Sequence, residues 1–260
     1  MKNKLTIVKI GGNIIDQTDE LNTFLTDFAA IKTAKILIHG GGKSASLFSK
    51  KLGIQSNMID GRRITSKEDL EIVIMIYAGL INKKITAYLQ SKRCNAIGLS
   101  GVDANCIQSI KRPINTIDFG YVGDVKKVNS TMISNFLQAG LSPVFCAITH
   151  DKNGQLLNTN ADTVAAEIAI AMSTLFDTQL IYCFEKKGVL TDVNDNDSVV
   201  PILDQKKYEN MKNNNTIHTG MLPKMTNCFY ALENGVQKVV VGNTKVIQDE
   251  SSVCTQVILQ

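Results

Sequence analysis

Phosphate oxygens are held at close range by backbone N–H groups, and glycine is the residue that lets a chain come close enough. Two glycine turns stand early in this chain, Gly11-Gly12 and Gly40-Gly41-Gly42. Each follows a short apolar run and precedes a helical stretch, where a helix N-terminus favours an anion. A lone turn of this kind is more often a tight strand-to-helix connection. Two of them, one preceded by Lys9 on its strand, favour phosphate binding. No P-loop is present, because Leu37 stands where its first glycine belongs. The run Gly40 to Ala45 does fit G-x-G-x-x-A, with Asp60 downstream where a ribose-binding acid would stand. That keeps a nicotinamide-dependent enzyme as a rival, although it leaves Lys9 without a role.

Two later clusters carry further chemistry. In Asn158-Thr159-Asn160-Ala161-Asp162, Asn160 can cap a helix and Asp162 can sit in its first turn. Capping does not explain Asn158. Lys224, in Thr219-Gly220-Met221-Leu222-Pro223-Lys224, falls in a first helical turn where the dipole disfavours a cation, which points to an anionic partner. Asp192 to Asp197 resembles the start of a calcium loop, but Asp197 and Leu203 stand where glycine and glutamate are needed. It reads as a solvated loop.

The elements that position these residues alternate. Leu5–Ile10 and Lys35–His39 read as strands. A helix follows each, the first with Leu21, Phe24, Leu25 and Phe28 at helical spacing and the second over Lys43–Leu52. Ser66–Gln90 is a long helical stretch with Leu70, Val73, Ile74 and Tyr77 on one face. Asn95–Leu99 and Val122–Val128 read as strands separated by a turn-rich segment. Met132–Ala139 is helical, and Ser142–Ile148 is one buried strand before a turn at Asp151–Gly154. Helices over Ala161–Met172 and Gly220–Glu233 then alternate with strands over Gln179–Phe184, Lys238–Val241 and Gln256–Leu259. Such alternation implies a layered α/β fold with a largely parallel sheet, whose ligands bind outside the carboxyl ends of the strands.

Composition narrows the class. The 260 residues are 44% hydrophobic and 20% charged, enough for a large core. The net charge of +4 is spread over scattered basic pairs, which disfavours a nucleic-acid binder and suits a small anionic ligand. The six cysteines form no Cys-x-x-Cys pair and read as buried reduced thiols. The three histidines lack zinc spacing, so no metal held by side chains alone is expected. No secretory signal and no apolar stretch near ~20 residues is seen, so no membrane partner is expected and the expected location is the cytoplasm.

In chain order, these motifs resemble the amino-acid kinase family, and within it the kinases of N-acylated glutamate. Ile7-Val8-Lys9-Ile10-Gly11-Gly12 is similar to its first strand and loop, and His39-Gly40-Gly41-Gly42 to its second glycine loop. Gly61-Arg62-Arg63-Ile64-Thr65 is similar to its substrate segment, and Gly120-Tyr121-Val122-Gly123 to a turn beside the acyl group. Asn158 to Asp162 resembles its Asn-x-Asn-Ala-Asp motif, and Gly220 to Lys224 its late lysine motif. The resemblance spans essentially the whole chain.

It implies an open three-layer α/β/α sandwich with a largely parallel central sheet. One domain over 1–260 would comprise an acyl-glutamate lobe near 1–175 and a nucleotide lobe near 176–260. It implies ATP-dependent phosphorylation of the γ-carboxylate of an N-acyl-L-glutamate in arginine biosynthesis, with Mg²⁺ delivered by ATP. Lys9 and Lys224 would neutralise the moving phosphoryl group, and Asp162 would orient both. Gly11, Gly12, Gly41 and Gly42 would supply backbone donors. Arg63 would pair with a substrate carboxylate, while Asn158 and Asn160 would hold the substrate's amide and carboxylate. A homodimer is implied, without arginine feedback, because no room precedes Leu5 for the extra helix of arginine-inhibited relatives.

Two positions depart from the family pattern. Phe184-Glu185-Lys186-Lys187 stands where a Thr/Ser-Asp pair meets the nucleotide base, and Arg62 replaces a leucine beside the acyl group. A guanidinium at Arg62 would suit a succinyl carboxylate better than an acetyl methyl, unless it simply faces solvent beside Arg63. A non-catalytic ligand sensor on the same fold is the second rival.

Overall fold

The computed structural model describes residues 2–41, 43–54, 58–59, 62–217, 219–249 and 251–260, without the side chains of Arg62 and Thr219. Gly42, Asp60 and Gly61 of the motifs above therefore lie outside the described residues, as does the side chain of Arg62.

The strands are β1 (Lys4–Ile10), β2 (Ala34–His39), β3 (Met58–Ile59), β4 (Arg62–Arg63), β5 (Ala96–Leu99), β6 (Ile107–Lys111) and β7 (Gly123–Val128). They continue with β8 (Ser142–Cys146), β9 (Ile148–His150), β10 (Leu156–Asn158), β11 (Asp177–Cys183), β12 (Ile202–Leu203), β13 (Lys238–Gly242) and β14 (Thr255–Val257). The α-helices are α1 (Gly12–Asp16), α2 (Thr18–Ala30), α3 (Ser44–Lys51), α4 (Lys67–Ile74), α5 (Asn82–Ser91), α6 (Ser130–Gln138), α7 (Ala161–Ser173), α8 (Gln205–Asn213) and α9 (Leu222–Glu233).

Eight strands form one sheet in the order β12-β14-β13-β11-β1-β2-β8-β5, parallel except where β13 meets β14. Side chains alternate across this sheet, and β1 shows the consequence. Leu5 and Ile7 join the core beneath α7 and α9, whereas Val8 and Ile10 join Phe24, Phe28, Ile72 and Ile85 on the opposite face. The expected three-layer α/β/α sandwich with a largely parallel open sheet is the observed fold. Lys9 shares the parity of Leu5 and Ile7, so it emerges on the α7/α9 face near the carboxyl end of β1. Tyr182 on β11 is its register partner.

A second sheet, in the order β10-β9-β6-β7, flanks the first. It corrects two expectations. The apolar run Ser142–Ile148 is not one strand, because it changes sheets at Ala147, whose carbonyl accepts from Thr159 N at 2.9 Å. The turn-rich segment before Val122 contains β6. Its apolar alternation is broken by a register shift between Gln108 and Ser109, leaving Ser109 buried and Ile110 exposed. The helix α8 was not expected either. Asp204 caps it by accepting from Lys207 N at 2.7 Å, and it buries Tyr208 and Met211.

Lys67 to Ser91 forms one continuous helix, with a π-helical stretch over Met75–Ile81 joining α4 to α5. Ser66 caps its start by accepting from Asp69 N. The expected apolar face holds at Leu70 and Val73, then shifts to Ile76 and Ile81 through the π turns and returns at Ile85 and Leu89. At 25 residues, with a most apolar window of mean hydropathy 1.4, this helix has the length and composition of a membrane span, contrary to expectation. Ile72, Val73, Ile76, Ile81, Ile85 and Leu89 instead pack into the core on this side of the sheet, with Met75 and Leu80 outward.

Candidate active site

Three basic and acidic side chains from distant segments meet at the carboxyl end of β1. Lys9 Nζ lies 2.6 Å from Asp162 Oδ1, and Lys224 Nζ lies 2.9 Å from Asp162 Oδ2. Each local structure explains its contribution. Asn160 caps α7, its Oδ1 accepting from Asp162 N and Thr163 N, which fixes Asp162 in the first turn. Pro223 stands in the first turn of α9, where its missing N–H costs nothing, and Lys224 follows it inward. Tyr182, which the sequence did not single out, braces the cluster. Its hydroxyl donates to Asp162 O at 2.9 Å, and Lys224 Nζ lies 4.9 Å from its ring centroid.

Both lysines are about nine-tenths buried. Burial alone would raise the Asp162 carboxyl, but Lys224 and Lys9 overcome it and hold the group well below the usual carboxylate range. Lys9 is pulled below the ordinary lysine value, chiefly by burial, with Lys224 adding to the effect against the attraction of Asp162. Two ammonium groups facing one carboxylate leave one positive charge uncompensated. Such a cluster suits a polyanion whose charge shifts during reaction.

The glycine turns differ from each other. Gly11 N–H donates to Cys183 O at 2.8 Å, extending the β1–β11 ladder by one residue. This corrects the expectation that Gly11 donates to phosphate, since its hydrogen is already committed. Gly12 opens α1 and remains a candidate donor. Gly41 lies flat against Tyr77, and a Cβ there would fall inside the ring. The turn is fastened from two sides. Asp16 accepts from Lys43 N at 3.0 Å, tying the second glycine segment to the end of α1. His39 Nδ1 lies 2.8 Å from Gly40 O, and His39 Nε2 lies 3.0 Å from Asn82 Nδ2. Burial lowers the His39 pKa to about 4, so the ring is neutral. A neutral ring between a carbonyl and an amide N–H donates from Nδ1 and accepts at Nε2.

Beside the cluster lies a cleft of ≈ 190 Å³ whose walls include Gly40, Arg63, Tyr77, Arg112, Asn158 and Asn160. Three sequence motifs are stitched together to form it. Thr65 N donates to Phe119 O and Tyr121 N donates to Thr65 O, while Asn158 N donates to Tyr121 O. Gly120, at φ +69, allows the close crossing, since a Cβ there would strike Thr65 O. Arg63 is buried, donates to Ser46 Oγ at 2.6 Å and lies 3.5 Å from Asp69. Asn158 Nδ2 donates to Thr65 Oγ1 at 3.0 Å. Arg112 was not among the residues anticipated from the sequence.

A second, smaller hollow of ≈ 60 Å³ opens on the β11 side of the cluster. Phe184, Val189, Leu190, Val193, Ile217 and Met221 give it an apolar lining, with Lys186 at its edge. Phe184 and Lys186 thus stand in a recess even though their segment departs from the expected Thr/Ser-Asp pair. Among the described residues, no three His, Cys, Asp or Glu side chains gather as a metal cage.

This geometry agrees with the comparisons to known proteins. A profile of the amino acid kinase family matches residues 4–243. A Cytophaga hutchinsonii protein named acetylglutamate kinase is 54% identical over 239 residues, covering 92% of this chain and 90% of its own. A Phocaeicola vulgatus protein of the same name is 49% identical over 251 residues, covering 96% and 98%. Carbamate kinase from Giardia lamblia bound to AMP-PNP shares the fold, with a TM-score of 0.71 at 11% identity over 100% of this chain and 99% of its own. With its paired lysines, bridging aspartate and twin glycine turns, the chain belongs to the amino acid kinase family.

Proposed function

We propose that this protein transfers the γ-phosphoryl group of ATP to the side-chain carboxylate of an N-acyl-L-glutamate, a step of arginine biosynthesis. The carrying observation is Asp162 bridging Lys9 and Lys224 beside a cleft walled by buried Arg63. A substrate carboxylate oxygen attacks the γ-phosphorus, an O–P bond forms, and the bond to the β-phosphate oxygen breaks. The products are an acyl phosphate and ADP. The nucleophile is ionised at neutral pH, so no general base is needed, and catalysis is positioning and charge neutralisation.

Lys9 and Lys224 neutralise the transferring group and the departing diphosphate, while Asp162 holds them in place. Gly12 and Gly41 supply backbone donors, with Gly42 as a further one from the sequence motif. Arg63 pairs with the substrate α-carboxylate. Asn158 and the amide nitrogen of Asn160 hold the acylamide, the Oδ1 of Asn160 being occupied by its cap. The apolar hollow around Val189 and Ile217 takes the adenine, which divides the roles into an acyl-glutamate lobe near 1–175 and a nucleotide lobe near 176–260. Magnesium would travel on the triphosphate and offset its charge. Asp162 already engages one lysine on each carboxylate oxygen. A cytoplasmic homodimer belongs to the same reading, and the half-exposed Met75 and Leu80 suit such a contact. The nicotinamide rival finds no support, since the named relatives are kinases.

The test couples ADP release to an indicator reaction. ADP should form from ATP only when an N-acyl-L-glutamate is added. Lys9→Ala and Lys224→Ala should each lower turnover about a hundredfold, or ~3 kcal/mol. Near-normal turnover in both variants would dismiss the mechanism.

A further inference from the structure

Arg112 follows β6 directly and is held from three directions. Its backbone N–H donates to Val122 O at 2.8 Å. Its Nε lies 3.1 and 3.2 Å from the two carboxylate oxygens of Asp124, and its Nη2 lies 2.5 Å from Oδ1. The guanidinium carbon sits 5.1 Å from the centroid of the Phe119 ring. One group is left over. Nη1 is buried and has no hydrogen-bond partner among the described residues. The side chain lines the same cleft as Arg63, Asn158 and Asn160.

A buried guanidinium nitrogen without an acceptor is costly, and such groups in native proteins are completed by water or by a ligand. Here the fork is already oriented by Asp124 and Phe119, so little freedom remains to be lost when an acceptor arrives. The reading of this cleft as an acyl-glutamate site, on which this inference rests, already assigns the other substrate groups. The α-carboxylate goes to Arg63 and the amide to Asn158 and Asn160, while the γ-carboxylate attacks the phosphoryl group that the lysines neutralise. What remains is the far end of the acyl chain. A methyl group there accepts nothing. A carboxylate there would take the free edge of Arg112. Asp124, whose side chain is 41% exposed, is bathed in water and offsets the buried end of the guanidinium only in part.

We propose that Arg112 is a specificity-determining residue that receives the terminal carboxylate of an ω-carboxyacyl group, making N-succinyl-L-glutamate the preferred acceptor over N-acetyl-L-glutamate. The sequence places this role on Arg62. The side chain of Arg62 lies outside the described residues, and among those residues the free donor belongs to an arginine carried into the cleft by β6.

The decisive comparison uses the wild-type enzyme with N-succinyl-, N-butyryl- and N-acetyl-L-glutamate. Butyryl has the same chain length as succinyl and lacks the carboxylate. The specificity constant for succinyl should exceed those for butyryl and acetyl by about tenfold or more, the range of a charge-assisted hydrogen bond. In Arg112→Met the succinyl-to-butyryl ratio should collapse toward one. Equal use of succinyl and butyryl by the wild type would overturn the assignment without any variant. So would an unchanged ratio in a folded Arg112→Met enzyme. Phosphorylation of the acetyl substrate with no succinyl preference removes only this inference, whereas ADP release with none of the three removes the kinase reading and this inference together.

Discussion

The lysine–aspartate cluster and the neighbouring cleft wall are built on opposite principles. At the cluster every charged atom faces another from the same chain, with Asp162 between Lys9 and Lys224 and Tyr182 bracing the group. At the cleft wall the arginines are only partly engaged. Arg63 meets Asp69 at 3.5 Å, and Arg112 keeps one buried nitrogen unpaired among the described residues. In the first region the folded chain fixes the geometry of the charges and leaves one net positive charge for a polyanion, whereas in the second a ligand must supply the missing acceptor. Charge that must stand still during phosphoryl transfer is locked internally. Charge that must recognise a substrate is left with open valences.

The sharpest way to break this contrast is to open the cluster. Asp162→Asn keeps the shape but leaves two buried ammonium groups facing a neutral amide. Loss of one partner from a buried ionic group costs about 3–5 kcal/mol, so denaturant unfolding should show a drop of that order. Activity should fall without gaining a new titration between pH 6 and 8, because Asp162 is held ionised far below that range. An acid limb present in the wild type and absent from the variant would identify Asp162 as a base instead.

A smaller effect should come from His39, whose two ring nitrogens are both met within the chain, by Gly40 O and Asn82 Nδ2. Its folded pKa of about 4 lies below the unfolded value of about 6.5. Between those values the unfolded chain binds the proton and the folded chain does not. Stability is therefore complete above about pH 6.5 and lost as the pH falls toward 4, by roughly 3 kcal/mol in all. Asp162 adds its own loss only below about pH 4, where an unfolded aspartate begins to protonate. Urea midpoints measured from pH 7.5 to 4.5 should decline, and a flat profile would mean that His39 is not held neutral.

The smallest effect should appear at the unfinished wall. Arg63→Lys keeps the charge but loses the planar fork. The KM for the acyl-glutamate should rise about tenfold with kcat little changed, the pattern of lost ground-state binding. A fall in kcat at constant KM would place Arg63 in the transition state rather than at recognition.

These two regions were unequally legible. Lys9, Asp162 and Lys224 could be found because each stands in a motif with its own local logic, a strand before a glycine turn, a capped helix start and a first helical turn. Their convergence follows from strand parity and the parallel order. Gly11 misled, because its N–H is consumed by pairing with β11, a strand far along the chain. His39 and Asn82 were invisible as a pair for the same reason. Arg112 was hidden by β6, where the register shift buries Ser109 and exposes Ile110, so no apolar alternation marks a strand. Local propensity exposes the residues that begin or end elements. It misses those whose task is set by a partner across the fold.

The π-helical stretch has a geometric meaning beyond its burial pattern. Tyr77 covers Gly41, and Asn82 grips the imidazole that holds the Gly40 carbonyl. Positions five apart on an α-helix diverge by about 140° in azimuth, too far for both to address one loop. Widening the coil between them narrows that angle. The surplus residue works as a vernier, letting one rod keep step with the sheet at both ends while its middle is rotated out of step to read two adjacent glycines at once.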